Sequence, residues 1–271
     1  MKTTEEDELR KAVRDNYGKV AQNDGVGCGC NPSCCRESPS LIQDSSFHKS
    51  SQMGYSEKEL TAIPDGANLG LGCGNPQAIA SLSPGETVLD LGSGAGFDCF
   101  LAANQVGPNG QVIGIDMTPE MLSKARENAD KGGYTNVEFR LGEIEHLPVA
   151  DASVDVILSN CVINLSPDKL GVFRESFRVL KIGGRLAISD IVATAEIPDE
   201  IRSDLDLYCG CMAGAATITS LERILAEAGF REIRIRPKDE SREFIREWAP
   251  GRNVEDYVVS ATIEAVKQTN N

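Results

Sequence analysis

The stretch ETVLDLGSGAG, residues 86–96, decides which fold the sequence predicts. An apolar strand runs without interruption into three closely spaced glycines, and a helical pattern, DCFLAANQV, follows at residues 98–106. Glycines at that point permit a tight turn and bring the backbone close to a ligand at the start of the helix. Their spacing is G-x-G-x-G, whereas a dinucleotide site has G-x-G-x-x-G. By itself the stretch also fits a plain strand–helix turn. Together with acids at the ends of the second and third predicted strands and the terminal strands after residue 230, it predicts a site for a nucleoside-type cofactor without a pyrophosphate, such as S-adenosylmethionine.

Outward from this stretch, strands and helices alternate along residues 81–195. The further predicted strands are QVIGIDM, NVEFRLG, VDVILSN and GGRLAISDIVA. Such alternation is typical of an α/β fold, here a doubly wound, mostly parallel Rossmann-like sheet. Residues 1–80 are expected to hold a helix over 5–22, a cysteine-rich loop or mobile arm over 23–56, and the Cys73 loop. Residues 196–271 are expected to form a C-terminal α+β extension that begins with a helix over 197–209, binds substrate and adds the last strands.

The composition limits the partners of the chain. It has 271 residues and a net charge of −14, and such a field repels phosphate backbones and anionic membrane surfaces. No apolar run reaches the roughly 18 residues of a membrane helix, and the acidic N-terminus has no apolar signal segment. We therefore expect a cytoplasmic protein that binds neither nucleic acid nor membranes.

Residues at the carboxyl ends of the predicted strands point to the cofactor site, because open parallel sheets bind ligands there. Asp90 is expected to accept a hydrogen bond from the ammonium group of the cofactor, and Asp116 from its ribose hydroxyls. Met117 and Ile144 would pack on the adenine, and Glu145 would accept from its amino group. The expected cofactor-binding residues are Asp90, Gly92, Gly94, Gly96, Asp116, Met117, Ile144, Glu145 and Asn160.

The nine cysteines are an odd number, which excludes a complete set of internal disulfides. Cys161 follows the fourth strand directly, so its thiol is expected in the crevice beside the cofactor; a small buried core residue is the alternative. Cys73 is expected on the surface because loops run over surfaces, Cys211 follows a helix, and Cys99 is interpreted as structural. Three thiols from such distant segments do not match a zinc knuckle. They suit a soft centre with a lone pair, such as arsenic(III).

Two motifs, SNCVINLSPDK at 159–169 and CMAGA at 211–215, carry a resemblance to the arsenite methyltransferases that covers roughly residues 10–266. The resemblance implies an enzyme that transfers methyl groups from S-adenosylmethionine to trivalent arsenic, supplied as arsenite or its thiol adducts, in arsenic detoxification. It also implies that Cys161 and Cys211 bind the arsenic, and that Cys73 is a third ligand able to form a disulfide during turnover. Cys209 is a close competitor of Cys211.

The same resemblance implies a fourth functional cysteine near the N-terminus and a thiol reductant, thioredoxin or glutathione. The candidates for that cysteine are Cys28, Cys30, Cys34 and Cys35. A redox or arsenic-delivery role, a zinc-binding tail and no specific role all remain open for them. Two other functions remain open for the whole chain. One is a methyltransferase for an organic acceptor with incidental cysteines; the other is an arsenic-binding protein without catalysis, against which the intact cofactor motif argues.

Overall fold

A computed structural model describes residues 2–23 and 39–268 of the chain. The described helices are α1 (Lys2–Gln22), α2 (Pro39–Gln52), α3 (Glu57–Thr61), α4 (Gln77–Ala80), α5 (Phe97–Val106), α6 (Pro119–Gly132), α7 (Lys169–Val179), α8 (Asp199–Arg202), α9 (Leu205–Cys209), α10 (Ile218–Ala228) and α11 (Arg242–Trp248). The described strands are β1 (Thr87–Leu91), β2 (Gln111–Asp116), β3 (Val137–Leu141), β4 (Val154–Asn160), β5 (Leu180–Ala193), β6 (Ala216–Thr217), β7 (Arg231–Lys238) and β8 (Val258–Val266). None of these helices is long and apolar enough to cross a bilayer.

The strands form one sheet in the order β3-β2-β1-β4-β5-β8-β7, with the short β6 paired to β5. Strands β1 to β5 pair in parallel, and β8 runs antiparallel to both of its neighbours. The predicted doubly wound, mostly parallel α/β sheet is thereby confirmed. The chain proceeds from β1 outward to β2 and β3, and then returns to the other side of β1 as β4. This reversal leaves a crevice at the carboxyl ends of β1 and β4, where open sheets of this kind bind ligands.

Strand β1 is buried along nearly its whole length because the sheet is covered on both faces. Three of its side chains are completely buried, those of Val88, Leu89 and Leu91. The strand turns into α5 through glycines with left-handed φ angles: Gly92 (70°), Gly94 (52°) and Gly96 (94°). The N–H groups of Gly92 and Ser93 donate to the carbonyl oxygen of Ile115 on β2, at 2.8 and 2.9 Å. The glycine turn is therefore fixed against the neighbouring strand.

Helix α1 confirms the amphipathic pattern predicted for residues 5–22 and packs against both α6 and α9. Its apolar face is buried at Val13 and Val20. The Tyr17 hydroxyl donates to the carbonyl oxygen of Cys209 at 3.1 Å. The N-terminal helix therefore joins the Rossmann-like core to the region that follows β5.

Residues 39–52 form α2 where the sequence predicted a loop or mobile arm. The helix docks through small polar side chains: Ser50 is buried, and its hydroxyl donates to Oδ1 of Asn68 at 2.9 Å. Ser46 lies against Gly70, which has no side chain to obstruct it. Because serines rather than aliphatic residues make this packed face, the hydrophobic periodicity of the sequence did not reveal the helix.

The helix predicted over 197–209 is in fact two short helices, α8 and α9. The predicted helix is broken at Asp204, because the carboxylate of this residue accepts hydrogen bonds from the N–H groups of Asp206 and Leu207, at 2.9 and 3.0 Å. This is the N-cap arrangement that begins a new helix. After the break, α9 packs against α1 and against the 3-10 turn Ile163–Leu165 that follows β4.

The glycine turn predicts a difference in stability between two matched substitutions. At Gly96, with φ 94°, an added Cβ would lie 2.7 Å from the Phe100 ring. At Gly133, with φ 68°, an added Cβ would meet nothing within 4 Å. We expect Gly133→Ala to lower the free energy of unfolding by about 1 kcal/mol, the cost of the left-handed conformation alone. Gly96→Ala should lower it by about 3 kcal/mol, because overpacking is added. Urea unfolding of both variants tests this, and equal losses would contradict it.

Candidate functional site

Three cysteines from distant segments meet at the carboxyl end of β4. Cys73 lies in the loop between α3 and α4, Cys161 is the first residue after β4, and Cys211 follows α9 by two residues. All three are buried, so the surface position expected for Cys73 is wrong; its loop is folded inward against β4. The Cys161 thiol is hydrogen-bonded with the thiols of both Cys73 and Cys211, and the Cys211 thiol also donates to the Cys161 carbonyl oxygen at 2.6 Å.

The backbone at two of these cysteines is strained. Cys161 has a φ of 60° and Cys211 a φ of 64°, in the left-handed region that costs a residue with a side chain about 1–2 kcal/mol. Backbone hydrogen bonds hold both residues there: the Cys161 N–H donates to the carbonyl oxygen of Ser189 at 2.8 Å, and the Cys211 N–H to that of Tyr208 at 2.9 Å. Strain of this kind persists where the surroundings enforce it and collects at functional sites.

Asp190, near the end of β5, completes the cluster and was not predicted from the sequence. A carboxylate oxygen of Asp190 and the sulfur atoms of Cys73 and Cys161 all lie within 4.8 Å of one another. The carboxylate accepts hydrogen bonds from the N–H groups of Ile163 and Ile191, at 2.9 and 2.7 Å. Burial raises the pKa of Asp190 to about 6. The sequence could have indicated Asp190 by its position near the carboxyl end of the strand beside β4. The same criterion selected Cys161.

The surroundings disfavour the thiolate forms of Cys73 and Cys161. Burial raises the pKa of Cys73, and the nearby Asp190 carboxylate adds to the effect. The hydrogen bond with Cys211 lowers the pKa of Cys161, but the hydrogen bond with Cys73 and burial together raise it well above the ordinary thiol value. These cysteines are therefore not the exposed, electropositive type that reacts as a free thiolate.

Asn160 was expected to bind the cofactor, but its amide group holds the Cys73 loop. Its Oδ1 accepts from the Cys73 N–H at 2.9 Å, and its Nδ2 donates to the carbonyl oxygen of Gly74 at 2.8 Å. Nδ2 also donates to the Tyr55 hydroxyl at 3.0 Å. The Tyr55 hydroxyl in turn donates to Oδ1 of Asp98 at 2.8 Å. Asp98 and Tyr55, both buried, were missed by sequence reasoning because their pairing spans 43 residues.

The glycine turn presents unused polar atoms and open space. The Gly94 N–H donates to Oδ2 of Asp116 at 2.9 Å, and the Thr118 N–H donates to Oδ1 at 2.8 Å. The buried Ser93 hydroxyl has no hydrogen-bond partner among the described residues. An added Cβ at Gly94 would meet no atom within 4 Å. This combination of a fixed acid, an orphaned hydroxyl and free room at Gly94 fits a polar ligand of the expected kind.

Beneath the turn, Asp90 is buried and accepts a hydrogen bond from the thiol of Cys99 at 3.2 Å. Burial raises the pKa of Asp90 well above the usual carboxyl value, and the charge of Asp98 adds to the effect. Cys99 is fully buried, in agreement with the structural role predicted for it. A side chain at Gly92 would collide with Val162, so the turn and the segment carrying Cys161 are in direct contact.

The residues after β3 combine an apolar wall with two acids near the N-terminal helix. Ile144 is buried, as an apolar wall requires. Oε1 of Glu145 accepts from the Arg10 guanidinium at 3.3 Å and from the Ser166 hydroxyl at 2.7 Å, so this carboxylate anchors α1, and its predicted contact with adenine stays a prediction. The neighbouring Glu143 keeps 37 % of its side chain exposed and lies 3.9 Å from the same Arg10 Nε. Met117 packs against the apolar surroundings of the three cysteines.

The remaining cysteines divide into two groups. Cys209 is half-buried and packs against the apolar surroundings of the three cysteines. Its carbonyl oxygen accepts from the Tyr17 hydroxyl, and its thiol is not one of the two that are hydrogen-bonded with the Cys161 thiol. The four N-terminal candidates lie outside the described residues: Cys28, Cys30, Cys34 and Cys35. Their predicted roles therefore stay predictions.

The chain is similar to known methyltransferases. The model of a methyltransferase domain family matches residues 82–229. An arsenite methyltransferase of Halobacterium salinarum is 53 % identical over 268 residues, covering 96 % of this chain and 67 % of the relative. One from Aquipseudomonas alcaligenes is 39 % identical, covering 84 % and 63 %. The crystal structure of an arsenic(III) S-adenosylmethionine methyltransferase from Chlamydomonas reinhardtii superposes with a TM-score of 0.60 at 32 % identity, covering 82 % and 74 %. The chain thus spans about two thirds of the length of the curated relatives it matches.

The Asp98 network predicts a specific pH dependence. Burial raises the pKa of Asp98 to about 6. Its folded-state pKa then exceeds the unfolded one, so the stability it contributes is full below about pH 4 and is lost as the pH rises through 6. We expect the unfolding free energy of wild type to fall by about 2 kcal/mol relative to that of Asp98→Asn across this window. Denaturant unfolding at several pH values measures the difference. The exposed Asp256→Asn serves as the control, and a difference between wild type and Asp98→Asn that does not vary with pH would refute the prediction.

Proposed function

The chain belongs to the arsenite methyltransferase family, and on that premise we propose that it transfers methyl groups from S-adenosylmethionine to trivalent arsenic. The observation that carries the proposal is the meeting of Cys73, Cys161 and Cys211 beside the glycine turn. Three sulfur ligands suit a centre that keeps one lone pair. The products are methylated arsenicals and S-adenosylhomocysteine, which amounts to arsenic detoxification.

Arsenic capture needs no separate base in this site. The raised pKa values of Cys73 and Cys161 mean that arsenite meets protonated thiols. Each thiol replaces one hydroxyl of As(OH)₃, and the thiol proton leaves with that hydroxyl as water. Arsenite delivered as a thiol adduct exchanges in the same way and releases the carrier thiol. Since undissociated arsenite is neutral, its entry into an acidic protein with net charge −14 meets no repulsion.

The glycine turn and the strand ends hold the cofactor in this proposal. Asp116, fixed by the Gly94 and Thr118 amides, accepts from the ribose hydroxyls, and Asp90 with Ser93 faces the amino acid end. Ile144 forms the adenine wall, and Glu145 is the acceptor for the adenine amino group. The bound cofactor supplies a methyl group activated by a sulfonium.

The protein contributes mainly orientation to the methyl transfer. The arsenic lone pair is the nucleophile and carries no proton, so none of the residues acts as a general base. The left-handed backbone at Cys161 and Cys211 and the Asn160 bonds to the Cys73 loop hold the thiols in one arrangement. Well-oriented partners gain on the order of 10⁵ M or more in effective molarity, and here rigid ligands provide that gain.

Methyl transfer oxidises the arsenic formally, and thiols restore the trivalent state. In this proposal a disulfide forms among the site cysteines, and thioredoxin or glutathione reduces it. One N-terminal cysteine takes part in this thiol–disulfide exchange or delivers arsenic to the site; the candidates are Cys28, Cys30, Cys34 and Cys35. The five described cysteines form no disulfide with one another, which fits a reducing compartment, and we place the protein in the cytoplasm.

Cysteine substitutions test the proposal directly. Cys161→Ser and Cys211→Ser should each lower the rate of arsenite methylation by about 100-fold or more, because a misplaced reactant loses at least that much. S-adenosylmethionine affinity, measured by calorimetry, should remain at the wild-type value. The assay combines arsenite, S-adenosylmethionine and a thiol, and separates the arsenic species by chromatography.

Cys209→Ser is the matched control, since Cys209 lies two residues from Cys211 and its thiol is not one of those hydrogen-bonded with the Cys161 thiol; its activity should equal that of wild type. Near-full arsenite methylation by Cys161→Ser would overturn the assignment. Turnover of an organic acceptor without arsenic, independent of Cys73, would replace it with a different methyltransferase.

A further inference from the structure

Asp190 gives the cysteine cluster a second ligand set. One of its carboxylate oxygens and the sulfur atoms of Cys73 and Cys161 lie within 4.8 Å of one another, and all three residues are buried. A trivalent arsenic centre bound by three thiols leaves this carboxylate unused. Two thiols and a carboxylate converging in the interior are instead the donors that a thiophilic divalent cation prefers.

We propose that Cys73, Cys161 and Asp190 form a binding site for a d¹⁰ divalent cation of the Zn²⁺ and Cd²⁺ class. Zinc binds thiolate sulfur at about 2.3 Å and carboxylate oxygen at about 2.0–2.2 Å. Donor atoms around a tetrahedral zinc are therefore about 3.5 Å apart, and the three donor atoms here lie within 4.8 Å of one another, so small side-chain movements suffice for binding. The site goes beyond the proposed function, because cation binding requires neither arsenic nor methyl transfer.

The Asp190 carboxylate retains capacity for a cation. Its two oxygens offer about four acceptor positions. The described donors are the N–H groups of Ile163 and Ile191 and the side-chain amide of Asn164, at 2.7–2.9 Å. These three bonds use three of the four positions, and Oδ2 accepts one of them, from the Ile163 N–H. The Asn164 N–H also interacts with the carboxylate and lowers its pKa. The three donors fix the carboxylate in place, as hydrogen bonds to metal-ligating carboxylates do in established sites.

Cys211 separates the two kinds of ligand. Its thiol points at the Cys161 carbonyl oxygen, at 2.6 Å, and it is not part of the trio of donors that includes Asp190. Arsenic needs Cys211 as a third sulfur, whereas the cation uses Asp190 instead. On binding, Cys73 and Cys161 each release a proton to solvent, and two thiolates, one carboxylate and a divalent cation leave one negative charge. The Lys169 ammonium, which interacts electrostatically with Asp190, balances that charge.

The two ligands exclude each other because both require Cys73 and Cys161. A thiophilic divalent cation therefore inhibits arsenic capture competitively, and arsenite displaces the cation when it is in excess. The rate of arsenic capture therefore depends on the concentration of free zinc or cadmium, and no further regulatory element is required.

Cobalt(II) is the probe for this site, because thiolate ligation and tetrahedral geometry give it a characteristic absorption spectrum. The full chain is used with serine at the other cysteines that could compete for the metal, namely Cys28, Cys30, Cys34, Cys35 and Cys209. We expect one Co²⁺ per chain with thiolate-to-cobalt charge transfer, displaced by Zn²⁺ and by arsenite. Arsenite binding is followed in parallel by thiolate-to-arsenic absorption.

Two substitutions should separate the ligands in opposite directions. Asp190→Asn should weaken Co²⁺ binding by about 100-fold, at least the loss that removal of a metal site's supporting group causes, while arsenite still binds. Cys211→Ser should lose arsenite binding, while its Co²⁺ affinity stays within about twofold of the background protein, since the donor trio is untouched. Thermal unfolding and S-adenosylmethionine binding establish that each variant is folded.

Unchanged Co²⁺ affinity in a folded Asp190→Asn variant overturns the inference. Loss of the Co²⁺ spectrum in Cys211→Ser overturns it equally, because the cation would then use the arsenic ligands, and this comparison decides the matter even if Asp190→Asn does not fold. If Co²⁺ binds as expected but arsenite binds to no variant, the proposed function fails and the cation site stands.

Discussion

The side-chain amide of Asn160 joins three segments of the chain at one point, and the geometry of the site depends on it. It accepts from the Cys73 N–H, donates to the Gly74 carbonyl oxygen and donates to Tyr55. Since Cys161 is the next residue, the amide ties the Cys73 loop to the chain beside Cys161. Through Tyr55 and Asp98 the same network reaches α5, which begins at the glycine turn. The cysteine cluster and the glycine turn are thus parts of one hydrogen-bonded unit, in a buried setting where an unpaired amide is costly.

Several ionisable side chains are buried around the crevice of this protein. Three carboxyl groups near the crevice are buried with raised pKa values: Asp90, Asp98 and Asp190. The low-dielectric interior disfavours their ionised forms unless a cation or hydrogen-bond donors face them. In the proposed function the ammonium group of the cofactor faces Asp90 at one end of the crevice, and in the proposed cation site a metal ion faces Asp190 at the other. Burial also raises the pKa of Cys73 and of Cys161, which is compatible with the proposed exchange of arsenite hydroxyls for thiols.

Sequence patterns predicted the parts of the structure that depend on local order. The apolar strands, the G-x-G-x-G turn and the position of Cys161 after β4 follow from hydrophobic runs and from the rule that ligands bind at strand ends. The pairing of Glu145 with Arg10, the inward fold of the Cys73 loop and the docking of α2 through serines did not follow. Each depends on a contact between residues far apart in sequence, and in each the polar partner has no periodic signature. Asp190 was predictable only in part. The sequence shows its position near the end of a strand, but its contact with the thiols of Cys73 and Cys161 depends on the tertiary fold.

The backbone conformation of Cys161 and Cys211 has a consequence for protein engineering. Both residues occupy the left-handed region of φ. Glycine adopts this conformation without steric strain, whereas for cysteine it costs about 1–2 kcal/mol of folding free energy. A search for thermostable variants that scores folding alone favours glycine at these two positions, and each such replacement removes a ligand of the site. At each of these two positions, the substitution that relieves backbone strain and stabilises the fold also removes a thiol of the proposed site. A useful library for this scaffold keeps these two codons fixed and seeks its stabilising changes in the helices that cover the sheet.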